Sequence, residues 1–132
     1  MITIKTEEDK TDIHKFLSSQ GANIDLTGTI VMTARENGTI LALGALSMKD
    51  YRVFLDHIVV SGEYVEDLNL VLGLMKSLLN LADLRGMKTV YGSNPAMFDL
   101  YKMLRFKKSA GEAKKMYELS LEGYFTCENE EQ

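Results

Sequence analysis

The sequence has 132 residues, a formal net charge of −4 at pH 7, and a composition that is 45% hydrophobic and 26% charged. These values are typical of one globular domain and exclude a disordered or low-complexity chain. The single cysteine, Cys127, excludes an internal disulfide and a cysteine metal cluster, and no stretch reaches the ~20 apolar residues of a membrane span.

The N-terminal segment predicts a strand followed by a helix. Residues 2–5 alternate apolar and polar side chains, as a short strand does. Thr6 and Asp9 then predict the N-cap region of a helix, and Gly21 predicts its end. The buried face of this helix is expected to hold Ile13, Phe16 and Leu17.

A three-stranded antiparallel meander is predicted next. Alternation begins at Thr29, and Asn37-Gly38 is the strongest short-range hairpin signal because both residues tolerate positive φ. The partner strand is expected over residues 39–48, with a second turn at Lys49-Asp50. Residues 51–60 complete the meander.

The most periodic segment of the chain predicts a long helix. Its apolar residues follow the three-and-four spacing of one helical face: Leu68, Val71, Leu72, Met75, Leu78, Leu79 and Ala82. Asp67 is expected to be the N-cap, and Arg85-Gly86 closes the helix. A helix at this place is a crossover, so the strands before and after it are expected to be parallel.

The C-terminal third predicts a strand at 89–92, a helix that begins at Asn94-Pro95, and a strand at 115–121. The helix is expected to bury Met97, Leu100, Tyr101 and Leu104. Without a repeat or linker, residues 1–125 read as one domain, and residues 126–132 as an acidic C-terminal tail.

Two stretches resemble the GNAT family of N-acetyltransferases. One contains Leu78-Leu79, Ala82 and Arg85-Gly86, as at the end of the family's central helix. The other contains Asn94, Leu100-Tyr101, Leu104 and Phe106, in register with the family's asparagine, Leu-Tyr and Leu-Gly-Phe. The overlay spans residues 1–125. It implies an α+β fold in which helices flank a mixed, mostly antiparallel sheet.

The sequence departs from the family pattern at two places. Arg105 stands where the family usually has glycine. The family's two glycines at the start of the central helix should fall near Asn69 and Val71, or one residue earlier, and neither position is glycine. The place of the family's basic residue is taken by Val65, Glu66 or Asp67.

The resemblance implies acetyl transfer from acetyl-CoA to a primary amine. In the family, a strand edge pairs with the pantetheine arm, and the amides of the central helix hold the pyrophosphate, as helix N-termini hold anions in general. Carried onto this sequence, the positions that contact acetyl-CoA are Ile58, Val59, Val60, Leu68, Asn69, Leu70, Val71, Asn94 and Tyr101.

Tyr101 matches the family tyrosine that often protonates the departing thiolate, and a packing role for its ring is the alternative. The candidates for a general base are Asp56, His57 and Glu66. Alternation along a strand predicts that Asp56 and His57 point to opposite faces.

Two other interpretations remain open from the sequence. One is a binding or regulatory module on the same fold that has lost catalysis; the other is a different α+β sensor domain. We expect a small-molecule or peptide amine as partner, with no nucleic acid, no membrane and no metal, and a homodimer is allowed. The lack of a secretory signal favours the cytoplasm.

Overall fold

The computed structural model describes residues 1–8, 10–109 and 116–125. Within them the chain forms seven strands and three helices: β1 (Ile2–Glu7), α1 (Thr11–Ser19), β2 (Ile30–Glu36), β3 (Thr39–Lys49), β4 (Arg52–Val60), α2 (Leu68–Leu84), β5 (Thr89–Gly92), α3 (Phe98–Met103), β6 (Lys107–Lys108) and β7 (Tyr117–Ser120). Short 3₁₀ turns at Gly62–Tyr64 and Pro95–Met97 precede α2 and α3.

The strands form one sheet in the order β1-β2-β3-β4-β5-β7-β6. All neighbours are antiparallel except β4 and β5, which are parallel. Helix α2 joins this pair as a crossover, because parallel neighbours cannot be joined by a tight hairpin. The predicted α+β architecture with a mixed, mostly antiparallel sheet is confirmed.

The two hairpins of the meander differ in how well their turns were predicted. Asn37 and Gly38 have φ values of 53° and 81°, as the two central residues of a type I′ turn require. In the second hairpin Lys49 still pairs with Arg52, and the positive φ values belong to Asp50 and Tyr51. The predicted turn was therefore one residue too early, because the β3–β4 ladder extends to Lys49.

Each face of the sheet carries its own hydrophobic cluster. On one face α2 buries Leu74, Met75 and Leu78 completely, together with Val90 of β5. On the other face α1 buries its predicted face over β2 and β3; that face consists of Ile13, Phe16 and Leu17.

The helical spacing of the sequence thus identified the buried face of α1, and that of α2 only in part. Leu70 and Leu74 are buried although they were not predicted, whereas Leu68 is 43% exposed and Leu72 is only partly buried. The first turns of α2 are apolar on several sides, so spacing alone does not fix the buried face there.

Four expectations change or stay open, and one strand was not predicted. Thr6 is not an N-cap: β1 extends to Glu7, which pairs with Val31, and α1 begins at Thr11 without a side-chain cap. Asp9 and the predicted tail 126–132 lie outside the described residues. Strand β6 was not predicted, since two residues carry no periodicity, and the single domain over 1–125 stays a prediction.

Candidate active site at the β4–β5 fork

Strands β4 and β5 pair over a very short distance. In the described part of the chain their ladder consists of two pairs, Val53 with Val90 and Phe54 with Tyr91. Strand β4 continues for six residues beyond Phe54, whereas β5 ends at Gly92. The two parallel strands therefore part, and we call the place where they separate the fork.

An irregularity in β4 lies at the fork. Ala45 of β3 pairs with His57, but Ser47, two residues later, pairs with Phe54, three residues earlier. One extra residue is thus inserted into β4 at Leu55–Asp56, which is a β-bulge. Such a bulge bends the strand and interrupts the alternation of its side chains.

The bulge changes which residues of β4 face α2. Before it, Val53 and Leu55 pack in the α2 cluster; after it, Ile58 and Val60 do. The facing positions change from odd to even numbers, as one inserted residue requires. The simple alternation that was expected for Asp56 and His57 therefore does not hold across this site.

Two side chains bond the β4 carbonyl groups at the fork. The Tyr101 hydroxyl donates a hydrogen bond to the Leu55 carbonyl oxygen at 2.7 Å. The Asn94 side-chain amide donates to the Asp56 carbonyl oxygen at 2.8 Å. Buried backbone carbonyls need such partners once a strand ladder ends. Tyr101 and Asn94 thereby stabilise the separation of the strands.

A cleft of about 280 Å³ opens beside the fork on the α2 face of the sheet. Its walls are mostly apolar, with Asn94 and Glu66 as polar exceptions. The lining residues are Ile58, Val60, Val65, Glu66, Leu68, Val71, Asn94, Ala96, Met97 and Leu100. Five of these residues were predicted to contact acetyl-CoA, namely Ile58, Val60, Leu68, Val71 and Asn94, and Glu66 was a candidate for the general base.

The cleft exposes one edge of β4. The Ser61 amide donates to the Leu41 carbonyl of β3 at 2.8 Å. Because backbone groups of alternate residues point to opposite sides of a strand, Val59 also directs its amide and carbonyl toward β3. The backbone groups of Ile58 and Val60 then point toward the cleft. Of the three predicted edge residues, two have polar backbone groups at the cleft.

The start of α2 forms the other end of the cleft, and most of its first amides are already bonded. The Leu70 amide donates to the Asp67 carboxylate at 3.1 Å, which confirms Asp67 as the N-cap. The Leu68 amide donates to the Glu66 carbonyl at 3.0 Å, and the Val71 amide to the Asp67 carbonyl at 3.2 Å. Among the described residues of this turn, the amide without a hydrogen bond is that of Asn69.

The Asp56 carboxylate lies between the ends of the two strands. One oxygen accepts hydrogen bonds from the Ser93 amide at 2.7 Å and the Tyr101 hydroxyl at 3.0 Å. The other accepts from the Ser93 hydroxyl at 2.5 Å. These three bonds hold the carboxylate at the fork, with a defined orientation.

A second cavity, of about 490 Å³, reaches Asp56 from the opposite face of the sheet. Phe54 lines it, and Phe54 alternates with Val53 and Leu55, which face α2. The remaining lining residues are Ser47, Lys49, Asp50, Arg52, Asp56, Ser93 and Met116. The cleft and this cavity therefore approach the fork from two sides.

Tyr101 lies behind the wall of the cleft. Its side chain is fully buried and stacks beside Phe106 and Tyr117, and a Cβ atom at Gly92 would stand 2.2 Å from its ring. Burial, followed by the charge of Asp56, raises the pKa of the hydroxyl far above its usual range. The hydroxyl therefore stays protonated at neutral pH, and its single proton is shared between the Leu55 carbonyl oxygen and the Asp56 carboxylate.

His57 lies away from the α2-side cleft. Val59, two residues later on the same strand, packs in the α1 cluster, so alternation directs His57 to that face as well. The structure thus brings Asp56, Asn94 and Tyr101 together at the fork and leaves His57 on the other side of β4. The roles predicted for these residues stay predictions.

Sequence reasoning missed two residues of the site. Ser93 gives two of the three hydrogen bonds to Asp56, and Gly92 leaves the space that the Tyr101 ring occupies. The only available signal was the short polar stretch between β5 and the helix that follows. Nothing in that stretch indicated a contact with Asp56, which is 37 residues away.

The described residues contain neither a cluster of metal-ligand type nor a helix of membrane-spanning type. No three histidine, cysteine, aspartate or glutamate side chains gather there in a way that could hold a metal ion. No helix in that part of the chain combines the length and apolar character that crossing a membrane requires.

No protein-family model matches the sequence, and neither does any curated protein. Solved structures do match. The ribosomal-protein-S18-alanine N-acetyltransferase of Escherichia coli has 19% identity and a TM-score of 0.71, over 92% of this chain and 94% of that one. An N-acetyltransferase of Staphylococcus aureus Mu50 has 18% identity and a TM-score of 0.71, over 92% and 98%.

A GNAT family acetyltransferase of Elizabethkingia anophelis with acetyl-CoA bound has 17% identity and a TM-score of 0.66, over 91% of this chain and 98% of that one. These identities are low, while the coverage is nearly complete on both sides. The protein therefore has the fold of the GNAT acetyltransferases.

Proposed function

We propose that this protein is an N-acetyltransferase that moves an acetyl group from acetyl-CoA to a primary amine. One observation carries the proposal: two cavities on opposite faces of the sheet flank a fork where a carboxylate is held by three hydrogen bonds. Such an arrangement lets two substrates approach one proton acceptor from two sides.

The cleft on the α2 face suits the acylated arm of the donor. A pantetheine arm carries two amides on a flexible chain, and the edge of β4 offers the backbone groups of Ile58 and Val60. Hydrogen bonds between an extended ligand and a strand edge are a common recognition mode. The apolar side chains of Val71, Met97 and Leu100 surround the rest of the arm.

The cavity on the other face suits the amine. Asp56 forms its inner wall, next to the fork. The carboxylate takes the proton that the amine loses as its nitrogen bonds to the thioester carbonyl carbon and the carbon–sulfur bond breaks. Of the three base candidates, Asp56 alone borders both the fork and this cavity. The acceptor is a small molecule or a peptide terminus that fits there.

Tyr101 contributes to this scheme by positioning Asp56. Its hydroxyl shares one proton between the Leu55 carbonyl and the Asp56 carboxylate, and its raised pKa keeps it protonated. Protonation of the departing thiolate by Tyr101 requires that the hydroxyl leave both partners. Loss of positioning in Tyr101→Phe should lower the rate at every accessible pH.

The test joins a binding and a turnover measurement. Acetyl-CoA at 100 times its dissociation constant should raise the free energy of unfolding by about 2.7 kcal/mol. Thiol release with a panel of primary amines then reports transfer. Ala96→Trp fills the cleft and should abolish the thermal shift, while Asp99→Trp, one turn further on and outside the lining, should keep it.

The outcomes separate enzyme from binding module. A thermal shift together with amine-dependent thiol release supports the proposal. A thermal shift without transfer to any amine indicates the binding module that has lost catalysis. No shift at millimolar acetyl-CoA contradicts both.

A further inference from the structure

We propose that the cleft recognises its donor through the pantetheine arm and acyl group, and that Glu66 and Asp67 act against the diphosphate of CoA. The inference rests on the proposed function and specifies which part of the thioester donor is bound. The donor class is then an acyl-pantetheine thioester, whose nucleotide portion contributes little to affinity.

The first step is the hydrogen bonding at the start of α2. A helix N-terminus binds an anion through amides that lack intrahelical partners. Here the Leu70 amide is bonded to the Asp67 carboxylate, and the Leu68 amide to the Glu66 carbonyl. A diphosphate would have to displace the bonds that these two residues form.

The second step is charge. Glu66 lines the cleft, Asp67 is the adjacent N-cap, and Glu63 lies in the 3₁₀ turn before them. Among the described residues these three form no ion pair, and no lysine or arginine lines the cleft. An incoming diphosphate therefore meets carboxylates without a compensating cation.

The third step is the apolar opening. Val65 and Leu68 line the cleft at the helix start, and they are 61% and 43% exposed. Together they give the mouth of the cleft an apolar surface at the helix start. An uncharged arm can cover Val65 and Leu68, whereas a diphosphate cannot do so without losing hydration.

Binding of two donors tests the inference directly. Calorimetry on the full chain compares acetyl-CoA with S-acetyl-pantetheine, which lacks the diphosphate and nucleotide. We expect dissociation constants within about tenfold of each other, a difference of roughly 1.4 kcal/mol. A larger advantage for acetyl-CoA overturns the inference and leaves the proposed acetyltransferase intact. If neither compound binds, both proposals are overturned.

A charge variant tests the role of the two carboxylates. Glu66→Gln with Asp67→Asn removes both charges and keeps the cap, since asparagine caps helices as well as aspartate does. Acetyl-CoA should then bind roughly fivefold tighter or more, with S-acetyl-pantetheine within about twofold of the parent.

The matched control changes the net charge equally at a distance. Asp83→Asn with Glu122→Gln removes two exposed carboxylates away from the cleft. These substitutions should leave both affinities within about twofold. Equal tightening of acetyl-CoA in both variants would show a general charge effect and overturn the inference, as would no tightening in the Glu66/Asp67 variant.

Discussion

The two ends of the cleft satisfy unpaired backbone groups in opposite ways. At the fork, the carbonyls of Leu55 and Asp56 lose their strand partner and accept bonds from Tyr101 and Asn94. At the start of α2, Asp67 and Glu66 bond the amides of Leu68, Leu70 and Val71, while among the described groups the Asn69 amide has no bond. Both ends thus satisfy the need of backbone polar groups for hydrogen-bond partners. At the fork this keeps the strands apart, and at the helix start it uses amides that could otherwise bind an anion.

The difference teaches that proteins with the same fold need not have the same binding features. The fork depends on a bulge and two side-chain hydrogen bonds, and it is fully formed. Anion binding at a helix start needs free backbone amides without side chains in the way, and here the helix start carries carboxylates. Substitutions at the fork are expected to have larger effects than substitutions at the helix start.

The largest effect is expected from Asp56→Asn. Asparagine keeps the size of the side chain but cannot accept the proton of the amine, so kcat should fall by roughly 10²- to 10⁴-fold. Donor affinity should stay within about twofold. Steady-state thiol release with the best amine measures the change. Asp50→Asn, in the wall of the same cavity, is the control, and an unchanged kcat in Asp56→Asn would exclude Asp56 as the base.

The second effect concerns the packing beneath the fork. A methyl group at Gly92 would overlap the Tyr101 ring at 2.2 Å, so Gly92→Ala should lower the free energy of unfolding by roughly 1–3 kcal/mol. Urea unfolding measures it. Gly62→Ala is the control, because its added Cβ atom meets nothing within 4 Å and its stability should change by about 0.5 kcal/mol or less. Equal stability of Gly92→Ala would mean that Tyr101 can move.

The third prediction uses the buried hydroxyl of Tyr101. The pKa of this hydroxyl is raised in the folded state. Its contribution to the free energy of unfolding is therefore complete below the pKa of tyrosine in the unfolded chain, about 10, and is lost as the pH rises above that value. Tyr101→Phe should cost about 1–3 kcal/mol at pH 7, because the Leu55 carbonyl loses its donor. Within about one pH unit on either side of the pKa in the unfolded chain, the free energy of unfolding should fall faster in the parent protein than in Tyr101→Phe. Parallel curves would contradict the burial of this hydroxyl.

The smallest effect belongs to the helix end. Asp67→Ala removes the cap of α2 and should lower the free energy of unfolding by about 1 kcal/mol, whereas Asp67→Asn should leave it nearly unchanged. Thermal unfolding measures both variants. If Asp67→Asn were as unstable as Asp67→Ala, the carboxylate would act on the helix dipole rather than as a hydrogen-bond acceptor.

Much of the architecture could be predicted because it is encoded locally. The spacing of Leu78, Leu79 and Ala82 predicted the buried face of α2, and Asn37-Gly38 predicted the first hairpin turn. Asp67 was correctly identified as an N-cap. Each of these features depends on residues within a few positions of one another.

The arrangement of the fork could not be predicted, since it depends on distant residues. Asp56 and Tyr101 are 45 positions apart, and only the folded sheet brings them into contact. The bulge at Leu55–Asp56 leaves no mark in the hydrophobic pattern, so the face of His57 could not be inferred by alternation. Resemblance identified Tyr101, but its hydrogen bonds join residues that are 45 and 46 positions apart and exist only in the folded sheet.

The inserted residue in β4 divides one strand between two tasks. Val53 and Leu55, ahead of the insertion, belong to the interior beneath α2 and are buried. Ile58 and Val60, behind it, form a wall that a ligand can touch. Selection for a stable interior and selection for a new substrate can therefore act on separate halves of the same strand, with little interference between them.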